Sequence, residues 1–244
     1  MKNILETKEL VKLFDGVRAV DHLSFSIKEG QITGLVGPNG SGKTTLINIL
    51  SGFSSHDGGA VFFSDVERKK ILPWHNRTYS ISRTFQQIRL FDQMSVLDNI
   101  LVILTERSPF KSLFERHSEY HLKCAEDILK RVDLYEKRHD NAGDLSYGQR
   151  KLLEIGRVLA MNPNIILFDE PFAGLFPEIV KKIENIMREL KQEKKTIILV
   201  EHNMNIIRNL CDYLLVMDAG KLLAEGHPEK VLSERLVLEA YLGE

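Results

Sequence analysis

Cysteine is scarce in this chain of 244 residues, which contains only Cys124 and Cys211. The two lie far apart in no metal-like spacing, so the sequence predicts a reducing compartment and no disulfide framework. No apolar run approaches the roughly 20 residues that span a bilayer. The N-terminus carries charges among its apolar positions and is not typical of a secretory signal. Any role at a membrane would therefore depend on a partner chain.

An excess of basic residues is also missing. The chain has 33 Lys and Arg residues against 34 Asp and Glu residues, which gives a formal net charge of −1 at pH 7. Proteins held by nucleic-acid phosphates or by an anionic membrane surface normally need a basic excess. We therefore expect no nucleic-acid partner. The length suits one α/β domain with room for an inserted subdomain.

The spacing of apolar residues changes along the chain. Residues 4–13, 23–27 and 31–36 have strand-like patterns, and alternation in the second is typical of half-buried antiparallel strands. After residue 148, helices alternate with all-apolar strands, which predicts a buried parallel sheet. We expect a single domain over 1–244. It would combine a mostly parallel sheet, an N-terminal antiparallel subdomain and an inserted helical subdomain at about 92–150.

A phosphate loop is the clearest motif. Residues 37–44 read GPNGSGKT, which fits G-x-x-x-x-G-K-[ST] between an apolar strand and a helix. Glycines let backbone N–H groups approach phosphate oxygens, and the helix N-terminus attracts the same anion. Lys43 is expected to reach the β- and γ-phosphates, and the Thr44 hydroxyl to ligate Mg²⁺. The predicted ATP-binding residues of this region are Gly37, Pro38, Asn39, Gly40, Ser41, Gly42, Lys43, Thr44 and Thr45.

Two acids end the apolar run IILFDE at residues 165–170. Such a pair is commonly the solvated end of a buried strand, but the upstream phosphate loop favours a catalytic interpretation. Asp169 is expected to coordinate Mg²⁺, and Glu170 to orient and deprotonate the attacking water. Paired acids, together with the lack of an Asn-Lys-x-Asp motif, separate this chain from small GTPases and nucleotide kinases.

The sequence LSYGQ at residues 145–149 resembles the signature motif of ATP-binding-cassette (ABC) proteins, and it precedes IILFDE as in that family. Gln86 in SRTFQQ resembles the Q-loop glutamine, and His202 in VEHN resembles the switch histidine. Phe14 stands where the family places an aromatic that stacks on adenine, although a core position would also suit it. The resemblance covers nearly the whole chain and implies a P-loop NTPase fold with a RecA-like core.

The resemblance also implies a mechanism in which this chain pairs with a copy of itself or with a related ABC ATPase. Each ATP would lie between the phosphate loop of one chain and the signature of the other. The signature residues supplied in trans would be Leu145, Ser146, Tyr147, Gly148 and Gln149. The implied catalytic residues are Glu170 and His202, and the implied Mg²⁺ ligands are Thr44, Gln86 and Asp169.

Two positions depart from the family pattern. Tyr147 replaces a glycine found in many signatures, and Phe176 replaces the Asp, Asn or Ser usual in the loop after IILFDE, called the D-loop. That polar side chain normally helps to link the two ATP sites. Phe176 therefore leaves the strength of this coupling open.

Several stretches, among them SRTFQQIRLFDQMSVLDNI and the terminal EAYLGE, resemble the ATPase subunits of branched-chain amino acid importers. The resemblance implies two integral-membrane permease partners, bound through residues 88–98, and a substrate-binding protein that delivers the cargo. The chain would then lie in the cytoplasm at the inner face of the cell membrane. Alternatives are a lipopolysaccharide-type exporter ATPase, a non-transport ABC ATPase acting on ribosomes or DNA, and a non-hydrolysing nucleotide sensor.

Overall fold

The computed structural model describes residues 2–68, 71, 80–104 and 119–242. The strands are β1 (Asn3–Phe14), β2 (Val17–Lys28), β3 (Ile32–Val36), β4 (Gly58–Phe63), β5 (Val66–Glu67), β6 (Ile81–Arg83), β7 (Ile165–Asp169), β8 (Thr196–Val200), β9 (Tyr213–Asp218) and β10 (Lys221–Gly226). The helices are α1 (Lys43–Leu50), α2 (Val96–Leu104), α3 (Glu119–Arg131), α4 (Tyr147–Ala160), α5 (Pro177–Gln192), α6 (Met204–Leu210), α7 (Pro228–Val231) and α8 (Arg235–Leu242).

An antiparallel sheet forms the N-terminal part of the chain, with strand order β2-β1-β4-β5. In β2 the apolar side chains of Leu23, Phe25 and Ile27 are buried, while Ser24 between them is exposed. This alternation places one face of the sheet on a core and the other towards solvent. The predicted antiparallel subdomain is thereby confirmed.

A six-stranded sheet, with order β10-β9-β3-β8-β7-β6, carries the predicted parallel core. The strands from β9 to β6 are parallel to their neighbours, and β10 runs antiparallel to β9. Every residue of β3, β7 and β8 is buried, as is typical of strands covered on both faces. The α/β fold class is confirmed. Because the carboxyl ends of parallel strands share one edge, the strand ends at residues 36, 83, 169 and 200 lie along that edge.

The described residues fall into two compact units. The first comprises Met1–Arg83, Asn164–Glu170 and Arg188–Glu244, and the second comprises Thr84–Pro163 and Pro171–Met187. Helices α2, α3 and α4 pack against one another in the second unit. The predicted insertion at about 92–150 lies inside this unit, and its boundaries stay a prediction. Within the described part of the chain, no helix is long and apolar enough to cross a membrane.

Candidate functional site

The phosphate loop joins β3 to α1, and at two of its positions only glycine can be accommodated. Gly37 has φ 153°, and a Cβ atom there would lie 2.1 Å from the carbonyl oxygen of Met217. Gly42 has φ 99°, and its Cβ would lie 2.3 Å from the carbonyl oxygen of Ala19. Any larger residue would displace backbone, so the two glycines fix the path of the loop.

Lys43 is the first residue of α1, and its side chain bends back over the loop. Its Nζ donates to the carbonyl oxygens of Gly37 at 2.7 Å and Pro38 at 2.9 Å, and to Ser41 Oγ at 3.3 Å. Burial lowers the pKa of Lys43, and the nearby carboxylates of Glu170 and Asp169 oppose that effect. The first turn contains no acidic residue, so the positive end of the helix is available to an anion. Thr44 is exposed in this turn.

The structure brings the two predicted catalytic side chains into contact. Asp169 ends β7 and Glu170 follows it, with φ 47° and its N–H donating to the carbonyl oxygen of Val200 at 3.0 Å. The Glu170 Oε1 atom lies 3.0 Å from His202 Nε2, and His202 follows the end of neighbouring β8. A hydrogen bond from His202 to an ionised Glu170 carboxylate requires the tautomer in which Nε2 carries the hydrogen. Non-glycine residues rarely adopt φ above zero, and functional sites are enriched in them.

Two charged residues at this edge were not predicted as part of the site. Arg83, the last residue of β6, donates from NH2 to Asp169 Oδ2 at 2.7 Å. Glu201 stands between β8 and His202 and is buried. Its pKa is raised to about 7, mainly by burial and further by the charge of Glu170, while the N–H groups of His202 and Asn203 lower it. An acid directly after an all-apolar strand was the one available signal for Glu201.

The buried carboxyl of Glu201 makes the stability of the fold depend on pH. Its folded-state pKa of about 7 exceeds the ordinary value of 4.5, so ionisation is penalised in the folded chain. The penalty is absent below pH 4.5, grows as the pH rises and is complete above pH 7. Glu201→Gln keeps an acceptor for the two N–H groups and removes the penalty. We expect it to raise the melting temperature by about 5 °C at pH 8.5, a stabilisation of about 2 kcal/mol.

Thermal unfolding of Glu201→Gln at pH 5 and pH 8.5 checks this prediction, since the difference from wild type should be small at the lower pH. Glu193→Gln is the matched control, because Glu193 is exposed. Equal shifts for Glu201→Gln at both pH values would contradict a titration effect.

Of the remaining predicted residues, Phe14 and Gln86 are exposed, whereas Ser41 and Leu145 are buried. Phe14 ends β1 with 49% of its side chain exposed, and Lys12 Nζ lies 5.2 Å from its ring centroid. An exposed aromatic face suits stacking on a base better than a core role does. Gln86 is exposed, and it belongs to the second compact unit.

The signature forms the start of α4. Ser146 caps the helix: its Oγ accepts from the N–H of Gln149 at 3.4 Å, and its own N–H donates to Gln149 Oε1 at 3.0 Å. The helix begins at Tyr147, slightly before the helical region predicted after residue 148, because this capping box fixes its first turn. A Cβ on Gly148 would lie 3.0 Å from Ile179 Cγ1. Phe176, directly before α5, is 79% exposed.

Comparison with known proteins finds a matching family model and relatives that align over nearly the whole chain. The family model described as "ABC transporter" matches residues 20–173. The chain is 41% identical to the probable branched-chain amino acid transport ATP-binding protein LivG of Methanocaldococcus jannaschii, over 99% of this chain and 98% of that protein. It is 36% identical to the high-affinity branched-chain amino acid transport ATP-binding protein BraF of Pseudomonas aeruginosa, with the same coverage.

Solved structures are similar over the same length. The ADP conformation of an ATP-binding cassette of an ABC transporter has a TM-score of 0.88 and 39% identity, covering 100% of both chains. A dimeric ATP-binding cassette in a post-hydrolysis state, bound to ADP and Pi, has a TM-score of 0.79 and 26% identity, covering 92% of this chain and 98% of that chain. The fold is therefore that of ATP-binding cassettes.

Proposed function

This chain belongs to the ATP-binding-cassette transporter family as an ATPase subunit, and we propose that it drives the import of branched-chain or other hydrophobic amino acids. Near full-length similarity to relatives named as branched-chain amino acid transport ATP-binding proteins supports this cargo. One observation in the site carries the catalytic part of the proposal. The Glu170 carboxylate touches His202 at the same sheet edge as the phosphate loop.

The proposed chemistry is attack of water on the γ-phosphorus of ATP, which forms a new P–O bond, breaks the bond to the β–γ bridging oxygen and releases ADP and inorganic phosphate. Glu170 accepts the proton of that water, and His202 Nε2–H holds the carboxylate in place through the 3.0 Å contact. Lys43 releases the loop carbonyls that it now contacts and neutralises phosphate charge. Exposed Phe14 stacks on the adenine. These residues position ATP and the attacking water and remove a proton from that water. Positioning and charge stabilisation are most of what phosphoryl transfer requires from a protein.

The residues present fit a Mg²⁺ ion. Mg²⁺ prefers hard oxygen ligands, and the Thr44 hydroxyl and the Asp169 carboxylate belong to segments at one sheet edge. When bound, the ion neutralises charge on the β- and γ-phosphates.

Cassettes of this family act as dimers, as in the relative bound to ADP and Pi. We propose that the N-terminus of α4 binds the γ-phosphate held by the partner chain. Ser146 fixes that first turn by the capping box, and the turn contains no acidic residue that would repel an anion. The partner would be a second copy or a related ABC ATPase. The exposed Phe176 would meet the partner chain at the D-loop, where a polar residue is usual.

Two permease chains are the proposed membrane partners, which places the ATPase peripherally at the cytoplasmic face of the membrane. Several hydrogen bonds hold the segment expected to bind them. Asn99 accepts from the N–H of Phe91 at 3.0 Å and donates to its carbonyl oxygen at 3.0 Å. Arg150 pairs with Asp92 at 2.6 Å, and Arg157 donates to the carbonyl oxygen of Arg89 at 2.5 Å. These contacts leave the Phe91 ring 47% exposed.

Phe91→Ala is expected to reduce recovery of permease chains with the tagged protein about 10-fold, because an exposed aromatic in a fixed segment is a typical binding hot spot. Basal ATPase of the isolated chain should stay unchanged. The test compares permease recovery from mildly solubilised membranes, with exposed Phe53→Ala as the matched control. Full recovery with Phe91→Ala would contradict the proposed docking segment.

A further inference from the structure

Arg83 makes a buried bridge that the proposed mechanism does not use. Its guanidinium donates from NH2 to Asp169 Oδ2 at 2.7 Å, and from NH1 to Asn48 Oδ1 at 2.6 Å and Ser51 Oγ at 3.1 Å. The side chains of Arg83 and Asp169 are only 7% and 8% exposed. A surface ion pair contributes little, but a buried, multiply bonded guanidinium fixes the geometry of its partners.

The bridge joins two parts of the proposed ATP site. Asp169 ends β7, which pairs in parallel with β6, where Arg83 is the last residue. Asn48 and Ser51 lie at the end of α1, the helix whose first turn contains Lys43 and Thr44. The two NH groups of one planar side chain therefore hold the proposed metal-binding carboxylate and the helix of the phosphate loop in one arrangement.

We infer that Arg83 is a positioning residue for Mg²⁺-dependent ATP binding, acting through Asp169; the inference rests on the Mg²⁺ site of the proposed function. Mg²⁺ demands near-ideal octahedral geometry, so its ligands must be held in place before it binds. Groups that orient metal ligands typically contribute 10- to 100-fold in metal affinity. Lysine cannot replace arginine fully here, because an ammonium lacks the planar fork that reaches Asp169 and Asn48 together.

The test measures binding of a fluorescent ATP analogue to the full chain in EDTA and across a Mg²⁺ titration. Arg83→Met should raise the Mg²⁺ concentration for half-maximal enhancement about 10-fold, and leave binding in EDTA within about twofold. Arg83→Lys should give a half-maximal Mg²⁺ concentration between those of Arg83→Met and wild type. In the Asp169→Asn background, Arg83→Met should add no further shift, because its effect passes through that carboxylate. Arg235→Met is the control, since Arg235 forms an exposed pair with Glu239.

The outcomes separate the inference from the function on which it rests. A Mg²⁺ dependence that shifts with Asp169→Asn but not with Arg83→Met would overturn the role of Arg83 and leave the metal site standing. If Arg83→Met loses ATP-analogue binding equally in EDTA and in Mg²⁺, Arg83 has a merely structural role, and its proposed positioning role is overturned. An unchanged Mg²⁺ dependence in Asp169→Asn would overturn the proposed metal site itself. If Arg83→Met does not fold, Arg83→Lys decides by the same criteria.

Discussion

Glu170→Gln should lower steady-state ATP turnover by at least about 100-fold, because a general base contributes 10²- to 10⁴-fold. The substitution keeps the size of the side chain and an oxygen that can accept a hydrogen bond from His202 Nε2. In the wild-type chain this nitrogen lies 3.0 Å from Glu170 Oε1. The substitution removes only the ability to take a proton. ATP should therefore still bind, and the bound form should persist because hydrolysis no longer ends it. Phosphate release measures turnover, and fluorescence of a bound ATP analogue measures affinity.

The same exchange at an exposed glutamate, Glu193→Gln, is the control and should retain wild-type turnover. His202→Ala should lose turnover as well, since it removes the group that holds the Glu170 carboxylate. Wild-type turnover in Glu170→Gln would contradict the assignment of Glu170 as the general base.

Ser146→Arg should also abolish turnover, with a loss of about 100-fold or more, while the chain still binds ATP through its own phosphate loop. Ser146 caps α4 and fixes its first turn. A bulky side chain there would remove the cap and fill the space proposed for the phosphate of the partner chain. Because the defect concerns the partner's ATP, binding of the fluorescent analogue to the monomer should stay within about twofold of wild type.

Mixing two inactive variants separates a trans role from a local defect. A Ser146→Arg chain retains its phosphate loop, and a Lys43→Ala chain retains its signature, so a mixed dimer has one intact site. For a dimer of two copies of this chain whose sites work independently, an equal mixture should recover about a quarter of wild-type turnover, since half of the dimers are mixed and each contains one working site. No recovery above the separate variants would contradict a signature that acts in trans.

Much of the fold could be predicted because its signals are local. The strands β3, β7 and β8 are continuous apolar runs, and such runs identify strands covered on both faces. The phosphate loop needs glycines at fixed positions, so its sequence motif predicts its backbone geometry. The edge strand β10 escaped prediction, because KLLAEG has no clean alternation and forms a strand only by pairing with β9.

The parts of the site that sequence did not predict depend on tertiary contacts. Arg83 looks like an ordinary charged residue at the end of a short strand, and only the register of β6 against β7 brings it to Asp169. Glu201 gains its raised pKa from burial and from Glu170, which lies 31 positions earlier in the chain. Glu170 and His202 were predicted separately from motifs, and their contact follows from the pairing of β7 with β8.

The most direct test of the proposed importer role is capture of tagged Glu170→Gln protein from gently solubilised membranes in the presence of ATP. The variant should hold ATP without hydrolysing it, so its partners should stay bound, and mass spectrometry identifies them. We expect recovery of two hydrophobic permease chains together with a second ATPase chain, identical or related. Recovery of ribosomal or DNA-bound proteins with no permease would contradict it.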